Sequence, residues 1–422
     1  MSSSAEPVAP SASTLGPLRR NRNFQLLWTG QVLSDVGTAA GTLAYALVVL
    51  DLTHRSAFLA GLVTTIASLA AFTVRLPAGA LADRLDQRRA MLACDAARAV
   101  LLCALGVGVL EHVVSWPAVL LVAVADRVGD TLFSPASMAA VPKIVEDRQL
   151  ETAFTASEAR QHAASLVGPS LGGALYGIAS CVPFFGDALS YGISVVTTAG
   201  IRGSFHSTQT ERHGLWREAM QGVTLMVRDP LLRAVVIQAP LINFAFNGVF
   251  FTVILAMRVH GMSSATIGLT ESGIVLGGLV GAVLQPRISA RLTLHQLVVT
   301  LTVAGSALVA VASVLVPSPL VAVPLALPLV LAPTANAALM AAMLRRAPPS
   351  MHGRVTNSLL QAATGLAVLS PLVAGVLVQH VSSSWAMGAF GVTLAISAVL
   401  ALSLRSLRDA ERLGAEGPAT AA

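Results

Sequence analysis

Long apolar runs, separated by short polar connections, follow one another along the chain from Phe24 to Leu404. Twelve windows are each able to cross a hydrocarbon core, which needs about 20 helical residues. They are Phe24–Leu50, Ala57–Ala82, Ala90–Leu110, Pro117–Val141, Ser157–Ala179, Pro183–Ile201, Leu232–Met257, Ala265–Leu284, Leu294–Val316, Leu320–Leu344, Val355–Val378 and Trp385–Leu404. The pattern predicts an all-α membrane protein with 12 transmembrane helices. Residues 1–18 are rich in Ser, Ala and Pro and lack an apolar run, so a flexible tail is expected there rather than a cleavable signal peptide. Residues 407–422 form a second polar tail. Pro324, Pro328 and Pro333 predict a bend in the tenth span.

Composition agrees with lipid as the main solvent. Of 422 residues, 55% are hydrophobic and 11% charged, against about 25% charged in soluble domains. Mean hydropathy is +0.73. The net charge of +6 would suggest nucleic acid in a soluble protein, but here most basic residues fall in alternate loops. Arg19, Arg20 and Arg22 precede span 1, Arg84, Arg88 and Arg89 follow span 2, and Arg345, Arg346 and Arg354 lie between spans 10 and 11. The opposite loops hold Arg55 and Arg258. The positive-inside rule then places both termini in the cytoplasm, which requires an even number of spans. No aromatic-interleaved basic patch supports a nucleic-acid partner. Cys94, Cys103 and Cys181 sit in apolar stretches and read as small core residues, not a disulfide framework.

The chain repeats itself weakly. Gly79-Ala80-Leu81 recurs as Gly281-Ala282-Val283, and Pro169, Gly173, Leu175 and Gly186 recur as Pro371, Gly375, Leu377 and Gly388. Six spans followed by six in the same orientation form a parallel repeat about an axis along the membrane normal. Residues 19–202 are expected to be one pseudo-symmetric six-helix bundle and 231–406 the other. Residues 203–230 form the linker. Trp216, Met220, Val223 and Val227 recur there at helical spacing, which predicts a short amphipathic surface helix.

After span 2 comes Gly79-Ala-Leu81-Ala-Asp83-Arg84-Leu-Asp86-Gln-Arg88-Arg89-Ala-Met-Leu92. This resembles motif A of the major facilitator superfamily, G-x-L-x-D-R-x-G-R-R/K-x-x-L, with Asp86 and Gln87 in place of Gly-Arg. Gly79 allows close helix approach, and Asp83 suits the N-terminus of a neighbouring helix. The resemblance implies that Gly79, Asp83, Arg84, Arg88 and Arg89 latch the halves in one state. Gly168-Pro169-Ser-Leu-Gly172-Gly173 in span 5 resembles motif C of the exporter branch, which permits a bend and tight packing. Asn21-Arg22-Asn23-Phe24 through Trp28, Gly30, Gln31 and Ser34 is similar to the opening of the macrolide and enterobactin (siderophore) exporter group. Val141-Pro142-Lys143 and Gly353-Arg354-Val355 are similar to that group too. In that group an acid often follows Ser-x-x-Gly of span 1; here Thr38 stands in that place and Asp35 three residues earlier.

Ionisable groups at mid-membrane are costly, so each needs a reason. Gln31, Asp35, Thr38, Thr42 and Tyr45 share one face of span 1, a polar stripe that should face a watery cavity. Span 4 carries Asp126, Arg127 and Asp130, with Arg127 and Asp130 spaced to pair. Asp35 is expected to exchange a proton with each side in turn while Arg127 approaches and withdraws; a static Asp35–Arg127 pair is the alternative. Asp95 and Arg98 are spaced to pair on span 3, Glu158 and Arg160 read as interfacial, and Asp187 as solvated. Glu271 in span 8 has no local partner and is a second candidate for proton or cation binding. The resemblance implies that spans 1, 4, 7 and 10 line the cavity, which adds Asn243, Asn247, Asn336, Met340 and Met343. Amides offer donors and acceptors, and Met adapts to varied ligands.

The single lysine, Lys143, follows Pro142, which excludes a Walker A motif and hence an intrinsic ATPase. No metal spacing or nucleophile elbow occurs, so neither enzyme chemistry nor a cofactor is expected. The expectation is therefore a monomeric secondary transporter of the bacterial cytoplasmic membrane. It would export an antibiotic-like compound or siderophore in exchange for protons, by alternating access. An importer or lipid flippase on the same fold, or a non-transporting sensor or scaffold, is the alternative.

Overall fold

The computed structural model describes residues 18–202, 229–346 and 352–403. The amphipathic linker helix and both polar tails predicted above lie outside the described residues, apart from Leu18. The first six helices are α1 (Arg22–Leu52), α2 (Ala57–Arg84), α3 (Gln87–Leu110), α4 (Trp116–Ile144), α5 (Leu150–Ile178) and α6 (Val182–Ala199). After the linker come α7 (Pro230–Val259), α8 (Ser264–Ser289), α9 (Leu294–Leu315), α10 (Ala322–Leu329), α11 (Ala332–Arg346), α12 (His352–Gly365), α13 (Ser370–His380) and α14 (Ser383–Ser403). Among the described residues there is no strand.

Two predicted spans are each built from two helices. The tenth breaks between Leu329 and Ala332, where Pro328 and Pro333 remove backbone donors. The eleventh breaks after Gly365, ahead of Pro371. Nine helical stretches among the described residues are long and apolar enough to cross a membrane, fewer than the twelve windows. The windows outside that set are α4, α5 and α6, and these carry Asp126, Arg127 and Asp130, Glu158 and Arg160, and Asp187.

Local chemistry sets the helix starts. Asn21, Asp86, Asp229, Ser263 and Thr293 are N-caps whose side chains accept backbone N–H groups, and Thr293 with Gln296 closes a capping box. In α1 every residue from Leu43 to Leu50 is buried, the mark of a helix enclosed on all sides. It packs against α5 and α6, while α2 packs on α4 and α3 on α6. In the C-terminal part α14 packs on α7 and α9. The perimeter is the reverse of a water-soluble surface: Leu121, Ile178, Leu189, Val196, Val283 and Val314 are all exposed. Of the cysteines, all free, Cys181 is buried as expected, but Cys103 is exposed on this apolar perimeter.

Candidate functional site

The polar stripe of α1 does not run through one continuous cavity. Gln31 and Tyr45 are buried, Asp35 and Thr38 half-buried, and Thr42 exposed. Thr38 shares a 2.6 Å hydrogen bond with the Tyr191 hydroxyl of α6, and Tyr45 donates to Asp126 Oδ2 at 3.4 Å while its ring meets Phe184 edge-on. The stripe turns inward toward α4 and α6 at these two residues. Only its middle reaches open space.

The ion pairs differ from those that spacing predicts. Arg98 does not pair with Asp95; it reaches across to α4, with Nε 2.8 Å from Asp126 Oδ1 and Nη1 3.5 Å from Asp130 Oδ1. Its guanidinium lies 4.0 Å over the Tyr191 ring. Arg127 pairs neither with Asp130 nor with Asp35. It donates to Thr42 Oγ1 at 2.9 Å, because its side chain leaves α4 toward α1. Asp35 is held by Arg160 of α5 at 2.7 Å, so Arg160 is an interior ion-pair partner and not an interfacial residue. Asp187 is buried, not solvated: its carboxyl fits against Gly37 and Gly41 of α1 and accepts Ser190 Oγ–H at 3.2 Å. Glu271 Oε1 is buried with no hydrogen-bond partner among the described residues.

Two of these acids share a design. Asp35 is 30% exposed and tied to an arginine 6% exposed; Asp130 is 46% exposed and tied to an arginine 2% exposed. In both, a partly exposed carboxylate is tethered to a guanidinium in the interior.

In the C-terminal part, Val235, Gln238, Ala239, Ile242, Asn243, Val298, Leu301, Ala335, Asn336 and Leu339 line a small pocket of about 70 Å³. Its walls come from α7, α9 and α11, and the α10–α11 break lies just before Ala335 and Asn336. The predicted cavity residues Asn243 and Asn336 therefore meet. Asn247 lies one turn further along α7, exposed, and donates to Asn243 O at 2.8 Å. Met340 is not in the pocket wall. It packs with Leu232, Val235, buried Met343 and Val355, with Thr356 Oγ1 4.0 Å from its sulfur.

The N-terminal and C-terminal helices meet at the face bearing loops 53–56, 260–263 and 381–382, opposite the basic loops, and again further along α2, where Gln361 donates to Phe72 O at 3.2 Å and Arg75 to Thr364 Oγ1 at 3.3 Å. At the loop face Arg258 of α7 meets Asp51 of α1 at 2.6 Å, and the Tyr176 hydroxyl donates to Asp51 at 2.8 Å. Arg55 donates to Val259 O, and Gln379 accepts Ala57 N–H. Glycine makes the closest approaches. Gly173 of α5 lies against Ser264 O of α8, and Gly268 of α8 against Pro169 O. The same crossing recurs between α13 and α2, with Gly375 against Ala57 O and Gly61 against Pro371 O. The repeated Pro169/Pro371 and Gly173/Gly375 thus occupy matching places at two helix crossings. Gly168 and Gly172 serve a different contact, seating α5 on Ala39 and Ala40 of α1. Because Asp51 and Arg258 stay partly exposed, Asp51→Asn is expected to change stability by no more than about 1 kcal/mol. It should nevertheless loosen this face, seen as faster labelling of an Arg55→Cys probe in a cysteine-free background.

At the opposite face the residues of the N-terminal motif act as clamps. Asn21 caps α1 and donates to Ile144 O at the end of α4 (2.6 Å), while Asn23 exchanges hydrogen bonds with the Arg202 backbone after α6. Arg88 donates to Thr198 O and Ala199 O, closing the C-terminal end of α6. Arg89 contributes its N–H to the Asp86 cap. The side chains at 79–84, which include the predicted latch residues Gly79, Asp83 and Arg84, lie outside the described residues.

A family model, the Major Facilitator Superfamily, matches residues 27–358. The chain belongs to that superfamily and is a multi-pass membrane transporter. Macrolide efflux protein A of Streptococcus pyogenes is 25% identical over 61% of this chain. The match spans 65% of that relative's own length, just short of two thirds. Among solved structures, the nucleoside transporter NupG superposes with a TM-score of 0.72 at 13% identity, covering 91% of this chain and 99% of its own. A bacterial homologue of the human lysosomal transporter Spinster, solved inward-facing and unoccupied, gives 0.70 at 15% identity over 94% and 99%. A bacterial homologue of the iron transporter ferroportin, solved inward-facing, gives 0.71 at 13% identity over 92% and 99%. At these identities the structures establish a common fold.

Proposed function

We propose that this transporter exports a small organic molecule, antibiotic-like or a siderophore, from the bacterial cytoplasm in exchange for protons. Both termini would lie in the cytoplasm and the monomer would be the working unit. The closed face would then be the outer one, and the state described would be open to the cytoplasm. The observation that carries the reading is the pair of partly exposed acids, Asp35 and Asp130, each tethered to a buried arginine. Such an acid binds a proton when its arginine is engaged elsewhere and releases it when the pair re-forms. The mostly apolar pocket with Gln238, Asn243 and Asn336 suits an uncharged or amphipathic organic substrate. The similarity to a macrolide efflux protein supports export of an antibiotic-like compound.

The test is intracellular accumulation of a panel of macrolides, other antibiotics and siderophores in cells with and without the gene. The expected result is lower accumulation of at least one compound with the gene, restored by a protonophore. Accumulation unaffected by the gene across the panel would overturn the reading for these compounds.

A further inference from the structure

The N-terminal helices enclose more acid than base. Arg98, 2% exposed, is the guanidinium of a layer that also holds Asp126 of α4 and Asp187 of α6. Asp95 lies one turn before it on α3, buried, and neither of its carboxyl oxygens has a hydrogen-bond partner among the described residues. The charged and titratable groups facing this layer are Tyr45 from α1, Asp95 and Arg98 from α3, Asp126 and Asp130 from α4, and Asp187 and Tyr191 from α6. Arg127 stands at its edge, bonded to Thr42, and Asp35 beyond it is bonded to Arg160.

Asp126 is satisfied by Arg98 and by Tyr45. Asp187 is not. Its Oδ1 accepts from Ser190, but Oδ2 is buried and has no hydrogen-bond partner among the described residues, in a residue only 2% exposed. The guanidinium in its layer, Arg98, is already engaged by Asp126. Oδ2 lies in a notch that α1 makes by having no side chain at Gly37 and Gly41; a Cβ at Gly41 would sit 2.9 Å from it. One guanidinium cannot neutralise both carboxylates in a low-dielectric interior.

We propose that Asp187, in the layer with Arg98 and Asp126, is an internal proton-binding site. On protonation a hydronium ion gives up its proton, an O–H bond forms on Asp187 Oδ2 and the carboxylate loses its charge. Arg98 keeps its protons throughout. The inference rests on the proposed proton exchange for its use, but the bound proton itself is a property of the resting protein.

The test is infrared difference spectroscopy of the purified full chain in detergent, between acidic and alkaline pH, reading the C=O stretch of protonated carboxyls. Wild type is expected to show a buried-carboxyl band that Asp187→Asn loses and that both Asp35→Asn and Asp95→Asn keep, with one proton fewer bound per chain in Asp187→Asn. Gly41→Ala keeps every charge and presses a methyl on Oδ2, so it should shift the band even if Asp187→Asn does not fold. A band unchanged in both Asp187→Asn and Gly41→Ala would overturn the site. Separately, wild-type liposomes that move drug without protons would overturn the proposed coupling while leaving the bound proton in place.

Discussion

Replacing Arg98 with Gln is expected to destabilise the protein more than any other single polar substitution. Arg98 is buried, bridges α3 to Asp126 and Asp130 on α4, and stacks on Tyr191 of α6. Removing one member of a buried ion pair leaves its partner charged without compensation, a loss of about 3–5 kcal/mol. The surrounding geometry sharpens the effect, because Asp126 also lies close to Asp187. Thermal unfolding of the detergent-solubilised protein should show a clearly lower midpoint for Arg98→Gln. The double variant Arg98→Gln/Asp126→Asn should recover part of that loss, since it removes the orphaned charge. A midpoint equal to wild type in the single variant would mean that the arginine does not organise this layer.

The second large effect is expected at Gly268. A Cβ there would overlap the Pro169 carbonyl, which is backbone and has no rotamer to move. Overpacking of this kind costs about 1–3 kcal/mol. That cost falls on the state in which α5 and α8 touch and on no state in which they are apart. Since about 1.4 kcal/mol is a factor of ten, Gly268→Ala should shift the population toward opening at this face by about tenfold. Gly375→Ala should act similarly at the matching crossing of α13 and α2, where its Cβ meets Ala57 O. Spin labels at Ser56→Cys and His380→Cys, in a cysteine-free background, would report the separation directly. A longer distance in Gly268→Ala is the expected outcome; an unchanged distribution would show that the glycine contact does not set the closure.

Much of the fold was legible in the apolar windows, because lipid imposes one simple requirement on every span. The prolines at 324, 328 and 333 marked the break in the tenth span, and the repeated Pro169/Pro371 and Gly173/Gly375 marked the paired crossings. The interior pairings were not legible. Sequence spacing shows which side chains are neighbours on one helix, so it joined Arg98 to Asp95 and Arg127 to Asp130. Arg98 and Arg160 instead answer to acids on other helices, and such pairings depend on which faces pack together. Asp187 looked solvated because it stands in the first turns of α6, yet α1 covers it. The signal that could have found it was the companion pair Gly37 and Gly41, small residues on α1 in the turn spacing that makes a notch. The clamps made by Asn21 and Asn23 were visible only as a family resemblance until α4 and α6 were seen to end beside them.

Proton-driven export can be measured in proteoliposomes containing the purified chain, with a labelled macrolide on one side and an imposed proton gradient. Macrolide is expected to move against its own gradient as protons flow the other way, and a protonophore should abolish the movement. Macrolide flux that is the same with and without the gradient would contradict proton-driven export.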